Sequence, residues 1–467
     1  MRITRRRFLE RSAVAAAALV FDARLPPPRL RALRSAVRGR VLAPGDRGYD
    51  AARVVFNRRF DGVRPPAVVQ ARDAADVRAA VDWARRFDVP LVSRSGGHAY
   101  NGASTSASGV VVDVGRLNRV ALNAEGIATV GPGARNIDVY AALARHGATV
   151  PSGSCPMVGA GGLVTGGGMG LAGRELGLAL DRVTSFDVVT ADGRLRRVDA
   201  RNDGELFWAL RGGGGSFGIV TAIRMRARRV RHAAWFFASF PRAAAGEALA
   251  AWDRLAPDAP DALTSVFTLP AGSGSATAFG QFFGSEHALR RLVAPLARVP
   301  GARVRAGTSG YLALQRRWAG CADGGCHADR RSLFTGSSVY VARRLSARGR
   351  ADVLAAAAHA ALILDAYGGA IGRVAPDATA FVHRDVRFSV QVLSYANDLA
   401  TARSRVARAR ALVARHGNGQ AYQNYADPSL AGARHAYYAA NYARLAAIKA
   451  QVDPDDRFRI AQGVRPA

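Results

Sequence analysis

The sequence predicts an α+β fold of more than one domain, and three observations lead there. Short apolar strands alternate with helical segments up to about residue 230; from about Arg231 the glycine clusters give way to alanine-rich helical stretches; after about Gly417 the aromatic content rises again. A chain of 467 residues has room for two or three domains, or for one large domain with an insertion. Its 49% hydrophobic and 8% aromatic residues, with a mean hydropathy near zero, are those of a packed globule. They exclude a disordered chain and a polytopic membrane protein.

Taken in order, the chain opens on Thr4-Arg5-Arg6-Arg7-Phe8-Leu9 followed by an apolar run over 13–21, the layout of a twin-arginine export signal. A run of nine residues is too short to cross a bilayer of about 30 Å as a helix. No stable membrane anchor is therefore expected, and the export machinery is an expected partner. That route carries folded proteins, which suits a chain that takes up a cofactor before it crosses. Pro26-Pro27-Pro28 and the arginine-rich stretch to Arg40 read as a linker, so residues 1–40 stand apart from the fold.

Residues 67–69 read as a strand, Asp73 as a helix N-cap, Val77, Val81 and Ala84 as one helical face, and 89–93 as the next strand. This βαβ-like opening runs into Arg94-Ser95-Gly96-Gly97-His98, so its glycines lie just past a strand terminus, where α/β folds place ligands. Strands follow at 110–114, 127–130 and 183–190, the last turning at Ala191-Asp192-Gly193 into 194–198. Helices are expected over 136–146 and 204–211, then over 243–255 and 350–362 beyond Arg231. Tyr422, Tyr425, Tyr437, Tyr438 and Tyr442 lead into a last helix that runs to Lys449.

Fifty glycines make up roughly a tenth of the chain, against about 7% on average, and they cluster. Gly213-x-Gly215-x-x-Gly218 matches the dinucleotide fingerprint in letters only, because a helix precedes it and a strand follows, the reverse of what the motif needs. The loop 93–97 is a better phosphate cradle, since consecutive glycines let several N–H groups point at one anion. The run from Gly159 through Gly161, Gly162, Thr165, Gly166 and Gly168 to Gly170 is too long for a turn. It fits a flat ligand laid against bare backbone. His98 and Cys155 each stand beside one of these two cradles.

The net charge of +31 is carried almost wholly by arginine, since Lys449 is the only lysine. A polyanion binder would show such a charge. The arginines nevertheless occur in every segment and form no nucleic-acid motif, so a solvated basic surface is the simpler reading and no nucleic-acid partner is expected. Of three cysteines, Cys321 and Cys326 can close a short disulfide in an exported protein; a metal site is disfavoured because His327 is the only other soft ligand nearby.

These segments resemble the berberine-bridge-enzyme-like family of FAD-linked oxidases, within the vanillyl-alcohol-oxidase superfamily with its PCMH-type FAD-binding domain. Arg94-Ser95-Gly96-Gly97-His98-Ala99-Tyr100 is similar to the family's diphosphate loop, and Gly153-Ser154-Cys155-Pro156-Met157-Val158-Gly159 to its second cofactor segment. Tyr422-Gln423-Asn424-Tyr425-Ala426-Asp427, and Val452-Asp453-Pro454 onward, are similar to its closing segment. The resemblance implies FAD bound bicovalently, with His98 on the 8α-methyl carbon and Cys155 on ring carbon 6. It implies a two-part FAD domain over 41–230 and 417–467, with a substrate domain, an antiparallel sheet backed by helices, inserted over 231–416. Ile219 and the glycines of both loops are implied to lie along the cofactor.

Further roles are implied in the same way. Tyr425 and Tyr422 resemble the tyrosines that act on the substrate hydroxyl in sugar-oxidising members, and Arg384 and Gln391 are expected to supply the cation and donors that lower a phenol pKa from about 10. Tyr100 resembles a pocket-lining position. Val158 resembles the oxygen gate, a small residue there leaving O2 a path to the ring, which favours an oxidase over a dehydrogenase with another acceptor. Leu163 departs from the family, which often has a polar residue there. Ser389 stands where alkaloid-oxidising members carry a carboxylate base, which argues against an amine substrate. The expectation is an exported oxidase acting on a hydroxyl of a small molecule, a sugar or a hydroxylated secondary metabolite. Its rivals are a dehydrogenase on the same fold and a non-enzymatic polyanion binder.

Overall fold

Residues 24–322, 324–326 and 331–467 are described by a computed structural model. Asp73 opens the first long helix as expected: its side chain accepts from the N–H groups of Ala75 and Asp76, and the helix Ala74–Phe87 buries Val77, Ala80, Val81 and Ala84. That face packs on a sheet of four strands in the order Arg40–Leu42, Val68–Gln70, Val110–Asp113, Leu91–Arg94. The last three are parallel. Parallel strands are covered on both faces, which is why these three are rich in valine.

The stretch read as a linker is a correction. Pro27–Ala36 is a helix with prolines in its first turn, where the missing N–H costs nothing. Leu33 is fully buried in the first sheet's core, and Trp83 Nε1 donates to Arg29 O at 2.9 Å. The twin-arginine run lies outside the described residues. Among the described residues no helix is long and apolar enough to cross a membrane.

A second sheet of five strands runs Val120–Leu122, Ile127–Val130, Ile219–Arg226, Val183–Val189, Leu195–Val198, antiparallel throughout. The helix Gly204–Leu210 precedes the 213–218 glycines and a strand follows them, as the order of apolar patterns predicts.

The third sheet lies wholly within residues 232–395. Its seven antiparallel strands run Arg303–Gly310, His232–Phe240, Ala276–Phe282, Leu263–Leu269, Ala361–Ala366, Phe388–Tyr395, Phe334–Val341. Period-two alternation sorts each strand. Leu362, Leu364, Phe388, Val390 and Val392 enter one core with helices Ala245–Leu255, Glu286–Ala297, Ala347–Ala356 and Leu399–Ala414. The helix expected over 350–362 therefore ends early: it stops at Ala356, and Ala361–Ala366 is a strand. A run of alanines hides the break, since alanine is the strongest helix former and extends the helical reading, whereas the short apolar run Leu362-Ile363-Leu364 is of strand length.

The chain's end returns to the first two sheets. Helix Tyr442–Val452 puts Leu445 and Ile448 into the second sheet's core, and Phe458 enters the first. Lys449 fastens it: the fully buried ammonium pairs with Asp453 and donates to Ser216 O at 2.7 Å and Phe458 O at 3.2 Å.

Candidate active site

Two glycine loops meet at the centre. A Cβ placed on Gly96 would lie 2.5 Å from the Gly159 nitrogen, and one on Gly159 would lie 2.4 Å from the Gly96 nitrogen. Only bare backbone lets these loops touch. The loop carrying His98 is thereby set against the segment carrying Cys155. Ser95 Oγ donates to Pro132 O, which also receives Gly161 N–H at 2.8 Å. The His98 ring stacks on Phe56 at 4.2 Å between centroids.

Cys155 is held through its backbone. Asn136 donates from Nδ2 to Cys155 O at 2.9 Å and from its N–H to Val158 O at 3.0 Å, and its Oδ1 accepts from Ser152 Oγ at 2.7 Å. Cys155 as a residue is exposed, yet surrounding protein raises the pKa of its thiol by desolvation, with Asp365 adding to the effect. Accessible and crowded together describe a concave wall.

The second glycine run differs from a continuous bare shelf. Ala160–Thr165 is a short helix whose Thr165 hydroxyl bonds back to Gly161 O at 2.9 Å. Gly162 alone in that helix is exposed, with no atom within 4 Å of a Cβ placed there. Gly166 and Gly168 are bare for another reason. A Cβ on Gly166 would meet Asn424 Oδ1 at 2.1 Å, and Gly168, at φ +90°, donates its N–H to Tyr422 Oη at 2.8 Å. Gly166, together with Gly167, whose Cβ would meet Tyr422 Oη at 2.7 Å, admits the chain's own C-terminal segment, whereas a Cβ on Gly168 would meet Ala179 at 2.3 Å.

Opposite the loops stands the free face of the third sheet. Asp365, Ser389 and Tyr340 are cross-strand neighbours there, as are Ile363, Gln391 and Ser338. Ser389 Oγ donates to Asp365 Oδ2 at 3.2 Å. Burial pushes the Asp365 carboxyl up to about 7, with only the Ser389 hydroxyl opposing it. Gln391 Nε2 donates to Tyr100 Oη at 2.5 Å, and Tyr100 stacks on Tyr425 at 5.7 Å. Tyr425 meets Tyr422 edge-on at 4.8 Å. Tyr100 and Tyr425 are both pushed well above the usual phenol range by burial; Asp365 is the next cause at Tyr425, and Cys155 at Tyr100. Tyr422 is also raised by burial, against the pull of the Gly168 N–H and the Asn424 amide.

His98, Cys155, Tyr100, Gln391, Ser389, Tyr422 and Tyr425 are thus brought to the meeting of the two loops with the sheet, while Val158 is fixed there through its carbonyl, which accepts from Asn136 N–H. Other expected site residues turn away from it. The Arg94 guanidinium, 4% exposed, is taken up by Asp113 at 2.8 Å and by backbone carbonyls, so it anchors its loop. The Ile219 side chain is fully buried in the first sheet's core. Arg384 was expected to lower a tyrosine pKa, but it pairs with Asp181 through two bonds of 2.8 and 2.9 Å. Its charge is matched there, and both tyrosines are raised rather than lowered. Asp365 is the residue that sequence reasoning missed. The carboxylate absent at position 389 comes from that residue's cross-strand partner. Its signal was a lone acid at the end of an apolar run, three residues beyond the stretch read as helix.

Residues 65–199 match the family model described as FAD binding domain, and residues 421–465 the model described as berberine and berberine like. An uncharacterized FAD-linked oxidoreductase of Bacillus subtilis, YvdP, is 32% identical over 92% of this chain and 98% of its own length. The chitooligosaccharide oxidase of Gibberella zeae is 26% identical over 91% of this chain and 92% of its own. Among solved structures, Physcomitrella patens BBE-like 1 superimposes with a TM-score of 0.89 at 28% identity, covering 94% of this chain and 99% of that one. Xylooligosaccharide oxidase from Myceliophthora thermophila, in complex with xylobiose, gives 0.84 at 26% identity, covering 94% of this chain and 99% of that one.

Proposed function

The chain belongs to the berberine-bridge-enzyme-like FAD-linked oxidoreductases, and from that premise we propose that it oxidises a hydroxyl group, that of a sugar or a similar polyol, with FAD held at both His98 and Cys155. The backbone contact between Gly96 and Gly159, with Gly162 open beside it, leaves a surface free of side chains that suits the cofactor. His98 stands on one loop and the accessible Cys155 on the other, the two residue types that tether a flavin at two points. The bound flavin supplies a hydride acceptor, and two tethers raise its potential and fix its orientation.

The observation that carries the reading is Asp365 at about 7 among Tyr100, Gln391 and Tyr425. A carboxylate poised near neutrality takes the substrate's hydroxyl proton as the hydride departs. Tyr425, whose ionisation is opposed by burial and by Asp365, relays it: the phenol gives its own proton to Asp365 as it receives the substrate's, and so ends protonated. Gln391 orients Tyr100, which lines the pocket. The relatives named for chitooligosaccharide and xylooligosaccharide oxidation support a saccharide hydroxyl. O2 is the proposed acceptor, reached past the small Val158; an acceptor other than oxygen is the alternative. The Cys321–Cys326 disulfide supports export by the twin-arginine route into an oxidising compartment.

Acid precipitation of the purified protein tests the cofactor: yellow colour remaining in the pellet is expected from the parent and from Cys155→Ala or His98→Ala alone, and its loss only from the double variant. A colourless parent pellet overturns the tethers. Peroxide release in air on turnover of a sugar, against reduction only of an added dye, separates oxidase from dehydrogenase.

A further inference from the structure

Two surface cavities away from the glycine loops are lined by arginine, and they differ in what those arginines already hold. The first, of about 420 Å³, is lined by Arg78, Arg194, Leu195 and Arg196. Its charge is matched: Arg196 stands 2.7 Å from Asp192 and 3.6 Å from Asp203, Arg194 stands 3.7 Å from Asp192, and Arg78 Nε donates to Gly193 O at 3.3 Å. The second, of about 380 Å³, is lined by His359, Ser404, Arg405 and Arg408 among alanine and glycine, and by no acid.

The sequence places these charges on one face. Helix Leu399–Ala414 buries Ala402, Val406, Ala409 and Val413, which leaves Ser404, Arg405 and Arg408 exposed. The two arginines are three residues apart, hence neighbours on the helix surface, and their like charges repel. Among the described residues neither has a carboxylate within ion-pair reach; over 399–415 only Arg415 does, at 3.8 Å from Asp352. Asp398 is engaged as the N-cap, accepting from Thr401 N–H at 2.8 Å. That bond holds its carboxyl below the usual range, with Arg405 a minor cause. Across the cavity, Gly272 N–H donates to Ala357 O at 3.0 Å and fixes the loop after strand Leu263–Leu269 against the turn that carries His359. Gly272 sits at φ +80° with no atom within 4 Å of a Cβ placed there, so this wall is bare backbone.

We propose that this second cavity is a binding site for the phosphate group of a small soluble phosphomonoester. Two guanidinium forks, the Ser404 hydroxyl and at least one imidazole N–H converge there as donors. A monoester brings three free oxygens and nearly two negative charges to meet them, whereas a diester brings two oxygens and one charge. An anion between Arg405 and Arg408 also relieves their repulsion and gains charge-assisted hydrogen bonds. A lipid surface would call for large apolar side chains at the rim. The exposed ones among the described residues, Leu195, Phe237 and Tyr395, line no part of this cavity. The helix belongs to the layer that packs with Leu364 and Val390, on the opposite side of the third sheet from Asp365 and Gln391. The ligand therefore binds without displacing a substrate.

Calorimetry on the full-length protein tests it, with inorganic phosphate and glycerol 3-phosphate as probes and phosphatidylglycerol vesicles as the rival source of phosphate. The parent is compared with Arg405→Gln/Arg408→Gln and with Arg194→Gln/Arg196→Gln, which removes the same charge at the other cavity. Both soluble probes are expected to bind the parent and to bind Arg405→Gln/Arg408→Gln at least about tenfold more weakly, the loss of one charge-assisted hydrogen bond or more. Arg194→Gln/Arg196→Gln is expected to keep the parent's affinity, because those side chains are held by Asp192. Melting temperatures of both variants close to the parent's are expected, since all four side chains lie at the surface. No binding of either soluble probe overturns the proposal. So does an equal loss in the two double variants, which is the mark of net charge alone, and so does Arg405- and Arg408-dependent binding to the vesicles without binding of glycerol 3-phosphate.

Discussion

Asp365 meets two opposing demands. Desolvation favours its neutral acid, one serine hydroxyl favours its anion, and the outcome near 7 leaves it able to take a proton at ordinary pH. Asp365→Asn keeps the shape and the Ser389 contact but removes the base; kcat is expected to fall by about 10²- to 10⁴-fold, with the flavin still bound by absorbance. In the parent, kcat is expected to rise with pH through about 7, as the carboxyl ionises, and Asp365→Asn to abolish that limb. The stability effect has the opposite sign. The folded protein holds this proton up to about 7, while the unfolded chain loses it near 3.9, so stability falls as pH rises across that window, by something on the order of a few kcal/mol. Thermal melts should show Asp365→Asn above the parent at pH 8 and level with it near pH 4.

At the scale of elements, the C-terminal segment is what completes the site. Tyr422 and Tyr425 reach the sheet because Gly166 and Gly167 leave room for Asn424 and Tyr422, and because helix Tyr442–Val452 is clamped by Lys449. This is the chain's sole lysine, and it is fully buried among Asp453, Asp456, Ser216 O and Phe458 O. A compact ammonium with three donors fits such a nest better than a planar guanidinium. Lys449→Met leaves the Asp453 carboxylate buried without its cation and is expected to cost about 3–5 kcal/mol in urea unfolding. Lys449→Arg should recover only part of it. Much of this scale is legible in the residues: the Asp73 cap, the strand 127–130 and the helix-then-strand order around the 213–218 glycines all follow from pattern. The helix over 350–362 does not, because its alanines favour helix up to the point where the strand begins.

Over the whole molecule, Arg174 joins the part before residue 231 to the inserted sheet. Only 1% exposed, it donates to the carbonyls of Leu263 at 2.9 Å and Pro257 at 2.8 Å, and to those of Tyr367 and Ala259, while its own backbone bonds Thr264 and Ala370. No other side chain type spans that many acceptors from one position. Arg174→Met strands four buried carbonyls, at a cost on the order of 3–5 kcal/mol. Because Tyr367 lies two residues beyond Asp365, a loss of kcat together with the fall in melting temperature is expected.

What the amino-acid string determined by itself was local: the glycines that let two loops touch, the histidine and cysteine beside them, and the alternation that makes strands. Each follows from neighbours within a few residues. Tertiary structure decided which charges are spoken for and which remain free to react. Arg94 and Arg384 find acids 19 and 203 residues away and leave the chemistry, whereas Asp365 finds only a hydroxyl 24 residues on. A carboxylate's pKa depends on the partners and the water that folding brings or removes, and neither is written in its own segment.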